Sequence, residues 1–252
     1  MTTVLKLGGS VVTEKDEPES VDEASLARAA DAIVDAGVSD LVVVHGGGSF
    51  GHYHAANHGV STTEGTHDAT AVADVHGAMK RLNRRVVDAL LSRDVPAVPV
   101  HPLSLCARDR GGRLSLPTGS VETLLGEGFV PVLHGDLVAH AGAGVTVVSG
   151  DELVTALASG TGADRVGICS TVPGVLDTDG EVVPRIESFE EVADALGGSE
   201  STDVTGGMAA KVRALLDLGA PAFVFGPTEL GAFLAGEDAG TRIDGGDDGT
   251  TG

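Results

Sequence analysis

The sequence predicts an α/β fold: a three-layer αβα sandwich around a mainly parallel central sheet. Three observations predict it. Continuous apolar runs such as Leu41–Val44 recur along the chain and suit strands buried on both faces. Segments with apolar residues at helical spacing lie between them. Aromatic residues make up only 3% of the chain, so the core must be small aliphatic side chains packed between layers. With 252 residues and no evident linker, the chain reads as a single domain over 1–252, two lobes sharing one sheet.

The elements follow in order. A strand over Thr3–Leu7 ends in Gly8, Gly9 and Ser10. An amphipathic helix is expected over 22–36, with Leu26, Ala29, Ala30 and Ile33 on one face. Strand 41–44 runs into the glycine-rich stretch His45–His52. A long helix over about 68–92 carries Val72, Val75, Met79, Leu82 and Val86 on one side. Lys80, Arg81, Arg84 and Arg85 lie on the other and read as a solvated face or subunit contact pairing with acids. Strand 96–100 precedes a hairpin over 103–116 turning at Arg110–Arg113. A short helix 120–126, strand 129–133 and a second hairpin over 138–148 come next. Helix 151–159 leads to strand 165–169 and a Gly/Pro turn. Helices near 188–196 and 207–217, strand 222–225, helix 228–235 and strand 241–243 complete the sandwich. The tail, 244–252, lacks the apolar content to order itself.

Thirty-seven acidic residues against sixteen Lys and Arg give a net charge of −21. The acids are spread along the chain, the pattern of a halophile's protein whose carboxylates keep it hydrated and dispersed in salt. With no basic stripe to neutralise phosphates, nucleic acid is excluded as a partner. No apolar run approaches the ~20 residues of a membrane span, and Met1–Lys6 is not a secretory leader, so a cytoplasmic location is expected. Cys106 and Cys169 have no metal spacing and are expected to be buried free thiols.

The chain has four lysines. Three of them, Lys6, Lys15 and Lys211, stand near glycine or serine/threonine clusters. The clusters Gly8–Ser10, Gly46–Ser49 and Gly206–Gly207 follow strands or open helices, where main-chain N–H groups can approach an anion. At ~1 M salt the Debye length is ~3 Å, so distant repulsion is screened while contact pairs survive. A few lysines can therefore hold phosphate on an acidic protein. The P-loop spacing GxxxxGK[ST] is absent. Residues 46–51 fit the dinucleotide pattern GxGxxG, with Asp68 downstream, but that reading leaves the three lysines unused. Residues 47–51 fit the hydrolase pattern GxSxG, but no histidine follows His140 to act as base. His54 and His58 have the i, i+4 spacing of a zinc pair without a third ligand, and read as surface histidines. His45 reads as a structural hydrogen-bonder. His52 directly follows the glycine cluster, where an imidazole could donate to a bound phosphate.

Taken together, these blocks resemble the amino acid kinase superfamily and, within it, most closely the isopentenyl phosphate kinases. The matching segments are Lys6–Thr13 with Lys15, His45–His52, Gly128–Asp136, Ser149–Asp151, Asp203–Met208 with Lys211, and Gly240–Ile243. They cover nearly the whole chain in the expected order, and Gly-Ser-Phe-Gly-His52 is the most specific. One stretch departs: relatives read Thr-Asp-Val-Asp-Gly where this chain has Ser170-Thr-Val-Pro-Gly174.

The resemblance implies an acceptor-binding lobe over 1–160, a nucleotide-binding lobe over 161–243 and a homodimer. It implies transfer from ATP, with Mg²⁺ carried on the nucleotide and no dedicated metal ligands, to isopentenyl phosphate. Lys6 and Lys211 would neutralise the transferring group and the β-phosphate, Lys15 the transition state, and Asp151 would orient the lysines. For Asp151 the competing role is a helix N-cap. Gly8, Gly9 and Gly48 would supply main-chain donors, with Ser10, Gly174 and Gly207 also on the nucleotide. His52, with Gly47, Gly48, Gly135 and Gly150, would hold the acceptor phosphate. Val72, Val75 and Met79 are either core or the wall of a prenyl pocket. A phosphate acceptor is already largely ionised at pH 7, its second pKa being ~6, so no general base is required. The alternatives are a relative acting on a phosphonate such as fosfomycin or on a nucleoside monophosphate, and a non-catalytic nucleotide-binding protein.

Overall fold

A computed structural model describes residues 1–197 and 207–245. The strands are β1 (Thr3–Leu7), β2 (Leu41–His45), β3 (Ala97–Pro99), β4 (Ala107–Arg108), β5 (Leu114–Ser115), β6 (Val130–His134), β7 (Asp136–His140), β8 (Gly144–Val148), β9 (Arg165–Cys169), β10 (Arg185–Ile186), β11 (Ala222–Phe225) and β12 (Thr241–Ile243). Eight form one sheet in the order β10-β12-β11-β9-β1-β2-β6-β3. β1 lies inside it, parallel to both β2 and β9. Parallel pairing extends outward through β6, β3 and β11, and β12 reverses against β11. The second sheet, β5-β4-β7-β8, lies to one side.

The helices are α1 (Gly9–Val12), α2 (Glu23–Ala36), α3 (Gly48–Asn57), α4 (Ala69–Leu91), α5 (Pro102–Leu105), α6 (Gly119–Gly126), α7 (Gly150–Thr161), α8 (Ala193–Gly197), α9 (Met208–Leu216) and α10 (Leu230–Leu234). Successive residues of a strand point to opposite faces, and the core divides accordingly. Val4, Val42, Val44 and Val166 pack with Leu153 and Leu157 of α7 and Val212 and Leu215 of α9. Leu5, Leu7, Leu41 and Val43 pack with Leu26 and Ile33 of α2, Val86 and Leu90 of α4, and Phe233 of α10. This is the expected αβα sandwich. Asp22 caps α2 by accepting from Ser25 N, and Gly37 ends it at φ +58°. Asp68 caps α4 in the same way.

Several elements differ from expectation. The first hairpin is shortened to β4 and β5, because Pro102 at a helix N-terminus starts α5 where strand was expected. The segment near 188–196 begins as a 3₁₀ turn, Phe189–Val192, before α8. The last helix likewise opens in a 3₁₀ turn, Pro227–Glu229. Asp244, assigned to the tail, donates its N–H to Ile186 O and pairs with Arg242 and Arg185. The rest of the tail, 246–252, and residues 203–206 of the Asp203–Met208 block lie outside the described residues. Cys106 and Cys169 are buried and unpaired. Among the described residues no helix is long and apolar enough to cross a membrane.

Candidate active site

β1, β2, β6, β9 and β11 end together, and a glycine or serine follows each. Gly8 N–H donates to Cys169 O, Gly46 N–H to Leu7 O and Gly135 N–H to His45 O, all at 2.9 Å. The ladder thus runs one step past the strands and places three glycine turns side by side at the carboxyl edge, where open α/β sheets bind ligands. The turns touch through main chain: a Cβ on Gly9 would lie 2.3 Å from Gly48 N, and one on Gly46 2.5 Å from Gly9 N. Gly48 has φ +49°, and its missing Cβ makes room for Thr13. Thr13 Oγ1 accepts from Ser49 N–H at 3.0 Å and donates to Gly9 O at 2.9 Å, joining the first loop to the second.

Above these turns opens a cleft of about 980 Å³. Lys6, Gly8, Gly9, Ser10, Lys15, Gly47, Gly48, His52, Gly135, Gly150, Asp151, Gly207 and Lys211 all line it, so widely separated segments meet in one place. Gly174 does not. It is buried away from the cleft, where a Cβ would meet Thr241 Oγ1 and Val182 at 2.7 Å, so its task is close packing; Ser170, Thr171 and Val172 line the cleft in its stead. Gly8 borders the cleft, but its N–H is spent on Cys169 O, so it is not a donor to a ligand.

Lys6 Nζ lies 2.7 Å from Asp151 Oδ2. The cap of α7 is Ser149, in a reciprocal capping box with Glu152, which leaves Asp151 free of that duty. Burial pushes the Asp151 carboxyl up, but the ammonium groups of Lys6 and Lys211 outweigh it and hold the carboxyl below its ordinary value. Asp151 Oδ1 is buried with no hydrogen-bond partner among the described residues. Lys15 stands exposed on the loop after Thr13. That loop is tied back by Glu19, whose carboxylate accepts from His54 at 2.6 Å and from Arg81 at 2.5 and 3.1 Å.

Next to the Lys6–Asp151 pair a small gap lies over Gly135; a Cβ on Gly150, at its edge, would lie 3.1 Å from Lys6 Cε. A Cβ on Gly135 would lie 3.5 Å from Gly150 N and 3.6 Å from Gly47 N, so both amides border one space at the N-termini of α7 and α3. Helix N-termini carry partial positive charge and suit an anion. His52 is exposed on α3, its ring beside Gly47. Val60, Val75, Met79 and Val147 continue the lining as an apolar wall; Val72 packs nearby without reaching the cleft. His54 and His58 point to different partners, Glu19 and Asp74. Arg81, Arg84 and Arg85 pair with Glu19, Asp88 and Glu23.

Beneath the gap lies a buried polar cluster that sequence reasoning missed apart from His45. His134 stacks on His45 and accepts at Nε2 from His101 Nδ1 at 2.9 Å. His76 Nδ1 meets both oxygens of the fully buried Asp136 carboxylate at 3.0 and 2.9 Å. Burial drives the His134 imidazole down to about 3 and depresses His45 as well, so both rings are neutral at pH 7. The Gly128–Asp136 block contained His134 and Asp136, but nothing in a linear pattern pairs them with His76 and His101.

Comparison with known proteins agrees with this geometry. The amino acid kinase family model matches residues 1–220. The chain is 68% identical over 243 residues to an isopentenyl phosphate kinase of Haloferax volcanii, covering 96% of this chain and 98% of that one. It is 34% identical to an isopentenyl phosphate kinase of Methanocaldococcus jannaschii, over 97% of this chain and 99% of that one. A crystal structure of an isopentenyl phosphate kinase superposes with a TM-score of 0.83 at 30% identity, covering 96% of this chain and all of the other.

Proposed function

The chain belongs to the amino acid kinase family, in its isopentenyl phosphate kinase branch, and on that premise we propose how it transfers the γ-phosphoryl group of ATP to isopentenyl phosphate. A phosphate oxygen of the acceptor attacks the γ-phosphorus, the bond from that phosphorus to the β-bridging oxygen breaks, and isopentenyl diphosphate and ADP result. The observation that carries the acceptor assignment is the two-amide gap over Gly135, with His52 beside it and an apolar wall behind it. An anion with a short hydrocarbon tail fits that combination. A nucleoside monophosphate would bring a polar base and ribose against Val60, Val75 and Met79.

The acceptor phosphate sits between Gly47 and Gly150, with His52 donating to it. Lys6 and Lys211 neutralise the phosphoryl group in flight and the β-phosphate, and Asp151 keeps Lys6 aimed at it. Lys15 closes from the loop side. Gly9 and Gly48 offer main-chain donors to the nucleotide, with Ser10 and Gly207 at its edge. Catalysis is therefore positioning and charge neutralisation. Mg²⁺ carried on ATP would offset the charge of its phosphates. The donor set fits an ion held mainly by the nucleotide, with the unpartnered Asp151 Oδ1 as the nearby protein oxygen. A homodimer and a cytoplasmic location belong to the same proposal; a monomer mass on gel filtration in molar KCl would remove the first.

The test is turnover in molar KCl with ATP and Mg²⁺ on isopentenyl phosphate, UMP, acetylglutamate and fosfomycin, in parallel. The expected result is turnover on the first. Activity on another acceptor alone would overturn the assignment. His52→Ala should raise the acceptor KM by about 10–100-fold, the worth of a hydrogen bond to a charged group.

A further inference from the structure

β2 and β6 end alike. His45 and His134 are register partners, both fully buried, with rings stacked at 5.5 Å. Each turns Nδ1 onto the carbonyl of the glycine that follows it, at 3.0 Å. Mere filling of this space would favour an apolar side chain, since a buried imidazole must satisfy its polar atoms.

The His45 bond acts on the peptide between Gly46 and Gly47. In a planar trans peptide the carbonyl of one residue and the N–H of the next point in opposite directions. Drawing Gly46 C=O toward the His45 ring therefore turns Gly47 N–H the other way. The nitrogen borders the gap over Gly135, and among the described residues no acceptor pairs with its N–H. Gly46 N–H is separately held by Leu7 O. Without the imidazole, two successive glycines would leave this peptide free to rotate.

Asn83, buried on α4, sets the tautomer. His45 Nδ1 faces a carbonyl, which only accepts, so Nδ1 carries the hydrogen and Nε2 of the neutral ring is bare. The Asn83 amide stands with Oδ1 3.1 Å from Nε2, and two acceptors cannot pair. Turned to present Nδ2–H, it caps Nε2 and also satisfies a buried donor that otherwise has no partner.

We propose that His45, held in one tautomer by Asn83, is a positioning residue for the acceptor: it locks the Gly46–Gly47 peptide so that Gly47 N–H faces the acceptor phosphate. This rests on the reading of the gap over Gly135 as the acceptor-phosphate seat.

The test compares His45→Asn, which keeps an N–H donor near the Nδ1 position, with His45→Leu, which has similar shape and no donor. Expected is a rise in acceptor KM of about tenfold or more for H45L, with ATP KM within about twofold, and H45N close to the parent on both. Equal acceptor KM in the two variants, or a parallel rise in both KM values, overturns the role. Should H45L fail to fold, Asn83→Leu takes its place and must raise acceptor KM several-fold while sparing ATP KM; no change overturns the role. A second readout needs no turnover: the Gly47 amide resonance titrated with inorganic phosphate should shift in the parent and in H45N and stay still in H45L. A shift in H45L equal to the parent's overturns the role. A parent that binds phosphate at Gly47 yet leaves isopentenyl phosphate unphosphorylated sinks the substrate assignment alone.

Discussion

Lys6 Nζ and Asp151 Oδ2, 2.7 Å apart, join the end of β1 to the first turn of α7 across the floor of the cleft. The lysine side chain is 10% exposed and the aspartate 25%, so neither charge is fully hydrated and each depends on the other. A phosphate entering the cleft meets an ammonium group already aimed.

Asp151→Asn should lower kcat by about 100-fold, the cost of a misplaced reacting group, with smaller changes in either KM. The acid behaviour follows from the depressed carboxyl of Asp151. A carboxylate with a lowered folded-state pKa stabilises the fold above its unfolded value of ~3.9 and loses that contribution as pH falls through the folded value. Asp151→Asn should therefore be less stable than the parent at neutral pH and decline less steeply on acidification. Thermal melts from pH 7 downward measure both; parallel curves would refute the linkage.

Glu19 governs the loop that carries Lys15. Removing its carboxylate frees His54 and Arg81 together and loosens residues 14–20, which then keep, among the described residues, only the contacts of Ser49 on α3 with Glu19 N–H and Ser20 O. Glu19→Ala should cut kcat roughly tenfold by loosening Lys15 while costing only about 1 kcal/mol of stability, as for a partly exposed ion network. Limited proteolysis should nick the variant after Lys15 faster than the parent. A kcat equal to the parent's would separate the tether from catalysis.

Thr13→Val keeps the shape of a buried side chain and deletes the hydroxyl that links Gly9 O to Ser49 N–H. Gly9 O keeps its bond from Thr13 N–H, and the unpaired Ser49 amide should cost about 1–3 kcal/mol in denaturant unfolding. Because the first and second glycine loops meet at this residue, KM for ATP and for the acceptor should rise together. A rise in one alone would place Thr13 on that side of the cleft.

The two thiols should be silent in the native state. Burial pushes Cys106 up to about 11 and Cys169 up to about 12, so thiolate is scarce at neutral pH. An aromatic disulfide reagent should label neither until denaturant is added, and inactivation by that reagent under native conditions would contradict this.

Much of this was legible in the sequence, and the remainder has physical reasons. β9, β11 and β12 matched their expected bounds because continuous apolar runs between turn residues have few other readings. The lysines stood out because the rest of the surface carries so few. The 103–116 stretch failed because Pro102 supports a helix start as readily as an extended chain. Gly174 was misassigned because a glycine that admits a ligand and one that admits a neighbouring strand look the same in one dimension; Val182 and Thr241, the latter sixty-seven positions away, tell them apart. Gly8 was misassigned as a donor because the partner that takes its N–H, Cys169, comes from a distant strand. The His76, His101, His134 and Asp136 cluster was hidden for the same reason, being assembled from separate elements.

The extension of the strand ladder into the glycine turns bears on how this site survives on so acidic a protein. Main-chain amides are supplied at every position whatever the side chain, so a protein can trade surface residues for carboxylates until it reaches −21 and leave these donors untouched. The amides of Gly47 and Gly150 take their place from glycine turns aligned by the middle of the sheet, and only a few side chains need to be kept against the general drift to acid. Adaptation to brine and the handling of phosphate thus draw on separate parts of the same chain: its outer side chains for the first, its innermost backbone for the second.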